Sequence, residues 1–307
     1  MIKKFNAELG ELMSSMMLDK NLFEKYASYY EQPEIRSQIV AIAHKREVCF
    51  LAAGNEERKI FNQRVNKIEY PKDYDFWFMN RIGIRKNKCY VNVYISLPIY
   101  ENGLPSWPWD EHRKENKHVW VKDSINHIER YDFLIDTDAE THDDVYLTLN
   151  DVKKCLIKCL EKKWNNIVVT FSGMGFHILI PMNQVTQNRN FIPNTDLNIY
   201  SEYKLLAKQF FNDCSQRVDL NIYDHMRLMK CPYSIAHYED VAYVAHTFES
   251  IDELNDFDLK HFNIMYYHEY PLNVFNKLKR GKLGLPVMIQ WQDEQEIHQL
   301  LKRLKIE

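Results

Sequence analysis

The run Tyr131-Asp132-Phe133-Leu134-Ile135-Asp136-Thr137-Asp138 restricts this chain more than any other stretch. Its apolar centre, Phe133 to Ile135, reads as a buried strand, and that strand delivers two carboxylates two positions apart. Alternate side chains of a strand share a face, so Asp136 and Asp138 point one way and Thr137 the other. Like charges at that spacing repel unless something positive lies between them, and a divalent metal is the usual answer. Asp-x-Asp pairs also occur on solvated strand ends and turns, so the rest of the chain must supply the remaining parts of a site.

The 307 residues are 45% hydrophobic and 27% charged, enough for a real core in one large domain or two moderate ones. Forty Lys+Arg against 43 Asp+Glu leave a net charge of −3, so any nucleic acid would have to be held by a local basic groove rather than a cationic body. The six cysteines, at 49, 89, 155, 159, 214 and 231, contain no Cys-x-x-Cys pair. They read as reduced, buried thiols of an intracellular protein, with no structural zinc expected. No apolar run reaches membrane-spanning length, and Glu8 and Glu11 interrupt any signal-like core after Lys3 and Lys4. The expected location is intracellular, cytoplasmic or nucleoid/nuclear, with no membrane partner.

Periodicity predicts a helix over 9–30, a break at Gln32-Pro33, and a short helix over 34–44. Strands are predicted at 48–51 and 88–96, and an irregular segment with three prolines and His112 and His118 over 97–129. A helix over 149–164 has Asn150 or Asp151 as its N-cap candidate. Strands at 167–171 and 176–181 flank the turn Ser172-Gly173-Met174-Gly175; a helix over 200–214 and a strand over 241–247 follow. Near residue 250 the texture changes to short amphipathic helices at 251–259, 272–280 and 292–304, with basic clusters such as Lys277, Lys279 and Arg280. This divides the chain into 1–249 and a helical C-terminal segment, 250–307.

Two further elements can complete a site. The hairpin from Thr170 to Ile180 holds Ser172 and His177 at the rim of a two-glycine turn, where backbone amides, a hydroxyl and an imidazole suit a triphosphate. A nucleophilic serine fits poorly, because the nucleophile elbow needs glycine two positions before the serine and position 170 is Thr. Val218-Asp219-Leu220-Asn221 adds a third carboxylate, and Arg227, Lys230, Ser234 and His237 follow with groups able to hold phosphate oxygens.

In this order, Asp136/Asp138, Ser172/His177 and Asp219 resemble the three motifs of the archaeo-eukaryotic primase superfamily. The run Arg227 to His237 looks like the basic–Pro–Ser–His segment after the third motif of primase small subunits, and Arg46-Glu47-Val48-Cys49-Phe50 looks like their early Arg-Glu strand. The resemblance spans roughly residues 40 to 245. The short Met174-Gly175 loop is closer to plasmid and viral primase-polymerases. The resemblance implies an α+β fold: a primase-polymerase catalytic core with an RRM-like antiparallel sheet and a second α/β module, plus the helical C-terminal segment. It implies that Asp136, Asp138 and Asp219 bind two divalent ions, Mg²⁺ or Mn²⁺, and that Ser172, His177, Arg227, Lys230 and His237 contact the nucleotide.

The activity so implied is template-directed nucleotidyl transfer, a DNA primase or primase-polymerase acting on single-stranded DNA with NTPs or dNTPs. A primase large subunit or a helicase is a candidate partner of 250–307. The rival reading is a non-catalytic replication or repair protein that stacks single-stranded nucleic acid on aromatics such as Trp77, Phe78 and Tyr94. A sugar-nucleotide transferase, which also uses Asp-x-Asp, is a third.

Overall fold

The computed structural model describes residues 20–54, 61–100, 127–185, 198–212, 214, 217–219, 222–224, 227–238, 241–266 and 287–304. The expected helical stretches 9–19 and 272–280, and the segment 101–126 with His112 and His118, lie outside the described residues. The strands are β1 (Val48–Gly54), β2 (Phe61–Asn66), β3 (Cys89–Ser96), β4 (Pro98–Tyr100), β5 (Ile128–Tyr131), β6 (Phe133–Asp138), β7 (Val168–Phe171), β8 (Gly175–Ile180), β9 (Leu228–Lys230), β10 (Ile235–Tyr238), β11 (Val241–Val244) and β12 (His246–Thr247). They form two four-stranded sheets, β2-β1-β3-β9 and β12-β7-β8-β6, and two ribbons, β4-β5 and β10-β11. Every pairing between these strands is antiparallel. The fold is mixed α+β with antiparallel sheets.

The first sheet is buried on one side by helices α1 (Lys20–Tyr30) and α2 (Pro33–Ala43) and by the turns of 71–81, which include a π-helical stretch, Phe76–Arg81. Strand β9 covers only Tyr94 to Ser96 of β3. Val93 still reaches a partner, accepting from the Cys231 amide at 2.9 Å. Val91, two residues earlier on the same edge, has no strand beside it among the described residues, and the Tyr26 hydroxyl takes that place: it donates to the Val91 carbonyl at 2.6 Å and also accepts from the Val91 amide. An unpaired buried backbone pair would be costly, so the tyrosine substitutes for a missing strand.

The second sheet has an aromatic back. Phe133, Phe171 and Phe176 project from one face and are fully buried. Phe133 packs against Trp164, Tyr203, Phe211 and Tyr223, with ring centroids 5.0–6.1 Å away. Phe171 and Phe176 pack against Phe257, and Phe176 against Phe248. Helix α3 (Asp144–Glu161) adds Val145, Leu149, Val152, Leu156 and Leu160 at helical spacing, and α4 (Asn198–Phe211) carries Tyr203 and Phe211. Near the C-terminus, α5 (Glu294–Arg303) follows a bridge between Ile167 and Ile289.

Two boundaries differ from expectation for local reasons. Helix α3 begins at Asp144, five residues before the expected start, because Thr141 Oγ1 accepts from the Asp144 amide at 3.3 Å and donates to its carboxylate at 2.7 Å. Asn150 and Asp151 sit inside the helix, and Asp151 pairs with Lys154 and Arg217. The expected strand over 241–247 is split at Ala245. Residues 241–244 pair with β10, and His246–Thr247 then joins β7, so this stretch passes from ribbon to sheet. All six cysteines are free thiols and buried.

Removing the Phe133 ring deletes the centre of this aromatic back. Phe133→Ala is expected to cost about 3–5 kcal/mol, measured as a lower midpoint in urea denaturation.

Candidate active site

Residues directly opposed across antiparallel strands share a face. Asp136 of β6 opposes His177 of β8, His177 opposes Thr170 of β7, and Thr170 opposes Thr247 of β12. On the outer edge of β6, Thr137 bridges Val218, the Asp138 amide donates to the Arg217 carbonyl at 3.2 Å, and the Asp219 amide donates to the Asp136 carbonyl at 2.9 Å. One polar row therefore crosses the sheet as Asp219, Asp136, His177, Thr170, Thr247. Asp138 lies in the next row, between Arg217 and Gly175. Thr137 turns to the other face, where its hydroxyl donates to the Phe176 carbonyl at 3.0 Å.

Gly175 makes the Asp138 position possible. A Cβ there would lie 2.0 Å from the Thr137 carbonyl oxygen and 3.0 Å from Asp138 Oδ1. Gly173 takes φ 115°, and the Ser172 amide closes the turn on the Gly175 carbonyl at 2.8 Å. The two glycines were expected to bring backbone amides up to an anion. Their geometry also serves the turn and the close approach of β8 to β6, and the Ser172 amide is bonded within the turn. Ser172 itself is buried at the turn.

Asp136 is 5% exposed. Burial opposes its charge, but His177 and Arg227 outweigh that and hold the carboxyl below its ordinary range. Arg227 donates to Oδ2 at 2.8 Å; His177 Nε2 lies 3.3 Å from Oδ1 without hydrogen-bond geometry. Asp136 Oδ1 and His177 Nδ1 are thus buried atoms with no hydrogen-bond partner among the described residues. Asp138 reaches solvent at its tip, yet loss of water around it and the neighbouring Asp136 and Asp219 carboxylates push it up to about 6, against the pull of His177 and Arg227.

The opposite wall comes from the first sheet. Arg227 immediately precedes β9, and its carbonyl accepts from the Leu97 amide at 2.9 Å. Tyr94 and Lys230 oppose each other on β3 and β9. The Tyr94 phenol is pushed up to about 12 by burial first, then by Cys49 and by the charge of Asp138, which puts Tyr94 within electrostatic reach of the acid face. Lys230 Nζ donates to Asn92 Oδ1 at 2.6 Å. His237 lies on β10, and its side chain is outside the described residues.

Two expectations are refined and one residue is added. Arg46 is a buried brace, donating to the carbonyls of Ser96 and Leu97 at 2.7 and 2.9 Å. Trp77 and Phe78 are buried against Phe50, so they offer no face for stacking bases. Asn92 was not singled out from sequence; its signal is an amide inside an otherwise apolar and aromatic strand.

Among the described residues no group of three or more His, Cys, Asp or Glu side chains closes around a single point. The chemistry of the acid face nevertheless suits a divalent cation. It offers three carboxylates, two from β6 and one from the segment on its outer edge; one oxygen of Asp136 is buried and, among the described residues, without a donor, and the Asp138 carboxyl is raised by its neighbours.

No protein-family model matches this chain, and no curated protein matches it. Among solved structures, the polymerase domain of ligase D from Mycobacterium tuberculosis, in complex with DNA, is similar with 11% sequence identity and a TM-score of 0.47, over 81% of this chain and 89% of that one.

Gly175→Ala is expected to force β8 away from Thr137 and Asp138 and to destabilise the protein by about 1–3 kcal/mol or more, read as a lower thermal midpoint.

Proposed function

We propose that this chain is a template-directed nucleotidyltransferase of the archaeo-eukaryotic primase superfamily, a DNA primase or primase-polymerase that builds primers on single-stranded DNA from NTPs or dNTPs. The observation that carries the reading is the pairing of Asp219 with Asp136. A carboxylate more than 80 residues downstream is brought beside the Asp-x-Asp strand, on the row that also holds His177. The proposed fold is the superfamily's core, with an RRM-like sheet and a second α/β module, and with residues 250–307 as a further segment.

Asp136, Asp138 and Asp219 are the candidate ligands of Mg²⁺ or Mn²⁺. When bound, such ions lower the pKa of an attacking hydroxyl and neutralise charge on departing pyrophosphate. The protein's own groups hold the parts in register. His177 and Arg227 keep Asp136 ionised, and the Arg227 hydrogen bond to Oδ2 orients it. Arg227 and Lys230 approach from the facing sheet, where cationic donors would bind the triphosphate; Ser172 and His237 are the further proposed contacts. Little covalent work falls to the side chains, so positioning and charge complementarity carry the rate.

The test incubates the protein with single-stranded DNA, Mg²⁺ or Mn²⁺ and labelled NTPs or dNTPs, and sizes the products on a gel. Template-dependent products are expected. Asp138→Asn, which leaves the Arg227–Asp136 pair in place, is expected to cut incorporation at least about a thousandfold with an unchanged circular dichroism spectrum. Absence of product under all these conditions would overturn the proposed activity; full activity in the variant would overturn the metal assignment.

A further inference from the structure

On the first sheet, Cys49, Tyr94 and Lys230 form one row, and Leu51 and Asn92 oppose each other in the next. Lys230 is 5% exposed. Its amine donates to Asn92 Oδ1 at 2.6 Å and lies 4.9 Å from the centre of the Tyr94 ring. Among the described residues no carboxylate pairs with it. A neutral amide oxygen and a ring face orient a cation and offset part of its desolvation, but they do not supply an opposite charge. Burial accordingly lowers Lys230 to about 7, with only the Cys231 side chain acting the other way.

The titratable groups around Lys230 among the described residues are thiols and a phenol. Strand β1 contributes the buried Cys49 thiol and β3 the Tyr94 phenol, which burial raises to about 12. Cys231, next in the chain, is also raised to about 12 by burial, against the pull of Lys230 and Arg46. Across the cleft, Asp138 acts on Tyr94.

We propose that Asn92 and Tyr94 are positioning residues that hold Lys230 as a conditional cation, and that loading a triphosphate draws one proton from solvent onto the Lys230 amine. This rests on the triphosphate reading of the same site. The proton adds to the Nζ lone pair and no bond between heavy atoms changes. The incoming phosphate oxygen provides the charge that the amide and ring lack, so the complex keeps a proton that the free protein has largely released above neutrality. Triphosphate affinity therefore falls as pH rises through the free-protein value.

The test is isothermal titration calorimetry of the full chain with Mg²⁺ and ATP at pH 8, in buffers of different ionisation enthalpy. For a group at about 7, wild-type protein is expected to take up about 0.9 proton per ATP bound. Lys230→Met is expected to bind about ten- to a hundredfold more weakly and to show no such uptake. Asn92→Asp gives the lysine a permanent carboxylate partner and is expected to bind with uptake near zero, an effect that a merely structural asparagine would not produce. Buffer-independent binding by the wild type would overturn the proposal and leave the triphosphate reading standing. Undiminished uptake in Lys230→Met would overturn the assignment to Lys230. Failure of the wild type to bind ATP at all would overturn the triphosphate reading itself, and this proposal with it.

Discussion

A carboxylate buried within a sheet must be compensated, and Asp136 is compensated from two directions. His177 approaches from the neighbouring strand, and Arg227 reaches across from the other sheet. Leaving such a group unpaired would be strongly unfavourable. The Arg227 contact therefore does more than tune a charge, because it fixes where β9 stands relative to the acid face. Lys230 and Tyr94 inherit their positions opposite the carboxylates from that constraint.

Each sheet can present polar groups at the cleft because its other side is satisfied independently. Behind the first sheet, the Tyr26 hydroxyl completes the backbone bonding of Val91, and the Tyr29 hydroxyl donates to the Tyr233 carbonyl at 2.9 Å. Behind the second, a cluster of phenylalanines removes apolar area from water. A row such as Asp136, His177, Thr170 and Thr247 runs through the interior of a sheet, where it gains little from burial and needs internal partners. The pair of Thr170 and Thr247 hydroxyls, 3.2 Å apart, is one of them.

The parts of this arrangement that depend on local pattern were legible in the sequence. The β6 strand, the hairpin of β7 and β8, and the shared face of Asp136 and Asp138 follow from alternation and turn chemistry alone. The Thr141 contact that starts α3 early lies outside the apolar repeat, so periodicity placed the start too late. Gly175 was legible as a turn residue but not as the residue that admits the Thr137 carbonyl, since that contact lies across the β6–β8 register rather than along the chain. Asn92 was overlooked for a related reason. Its meaning comes from Lys230, far away in sequence and adjacent only once β3 and β9 pair.

The stretch from Arg227 to Lys230 places two cations of different character on one wall of the cleft. The Arg227 guanidinium pairs with Asp136, which stabilises the protein before any ligand arrives. Lys230 is deeper and, among the described residues, without a carboxylate; on the proposal made above it carries full charge at neutral pH only when an anionic ligand joins it. Exchanging them would undo the design. A lysine at 227 would lose the planar fork that suits a carboxylate, and an arginine at 230 would keep its charge regardless of occupancy where an amine now meets Asn92 and a tyrosine ring. On that proposal, Arg227 just before β9 is the cation that joins the sheets, and Lys230 at the end of β9 is the one that responds to what enters between them.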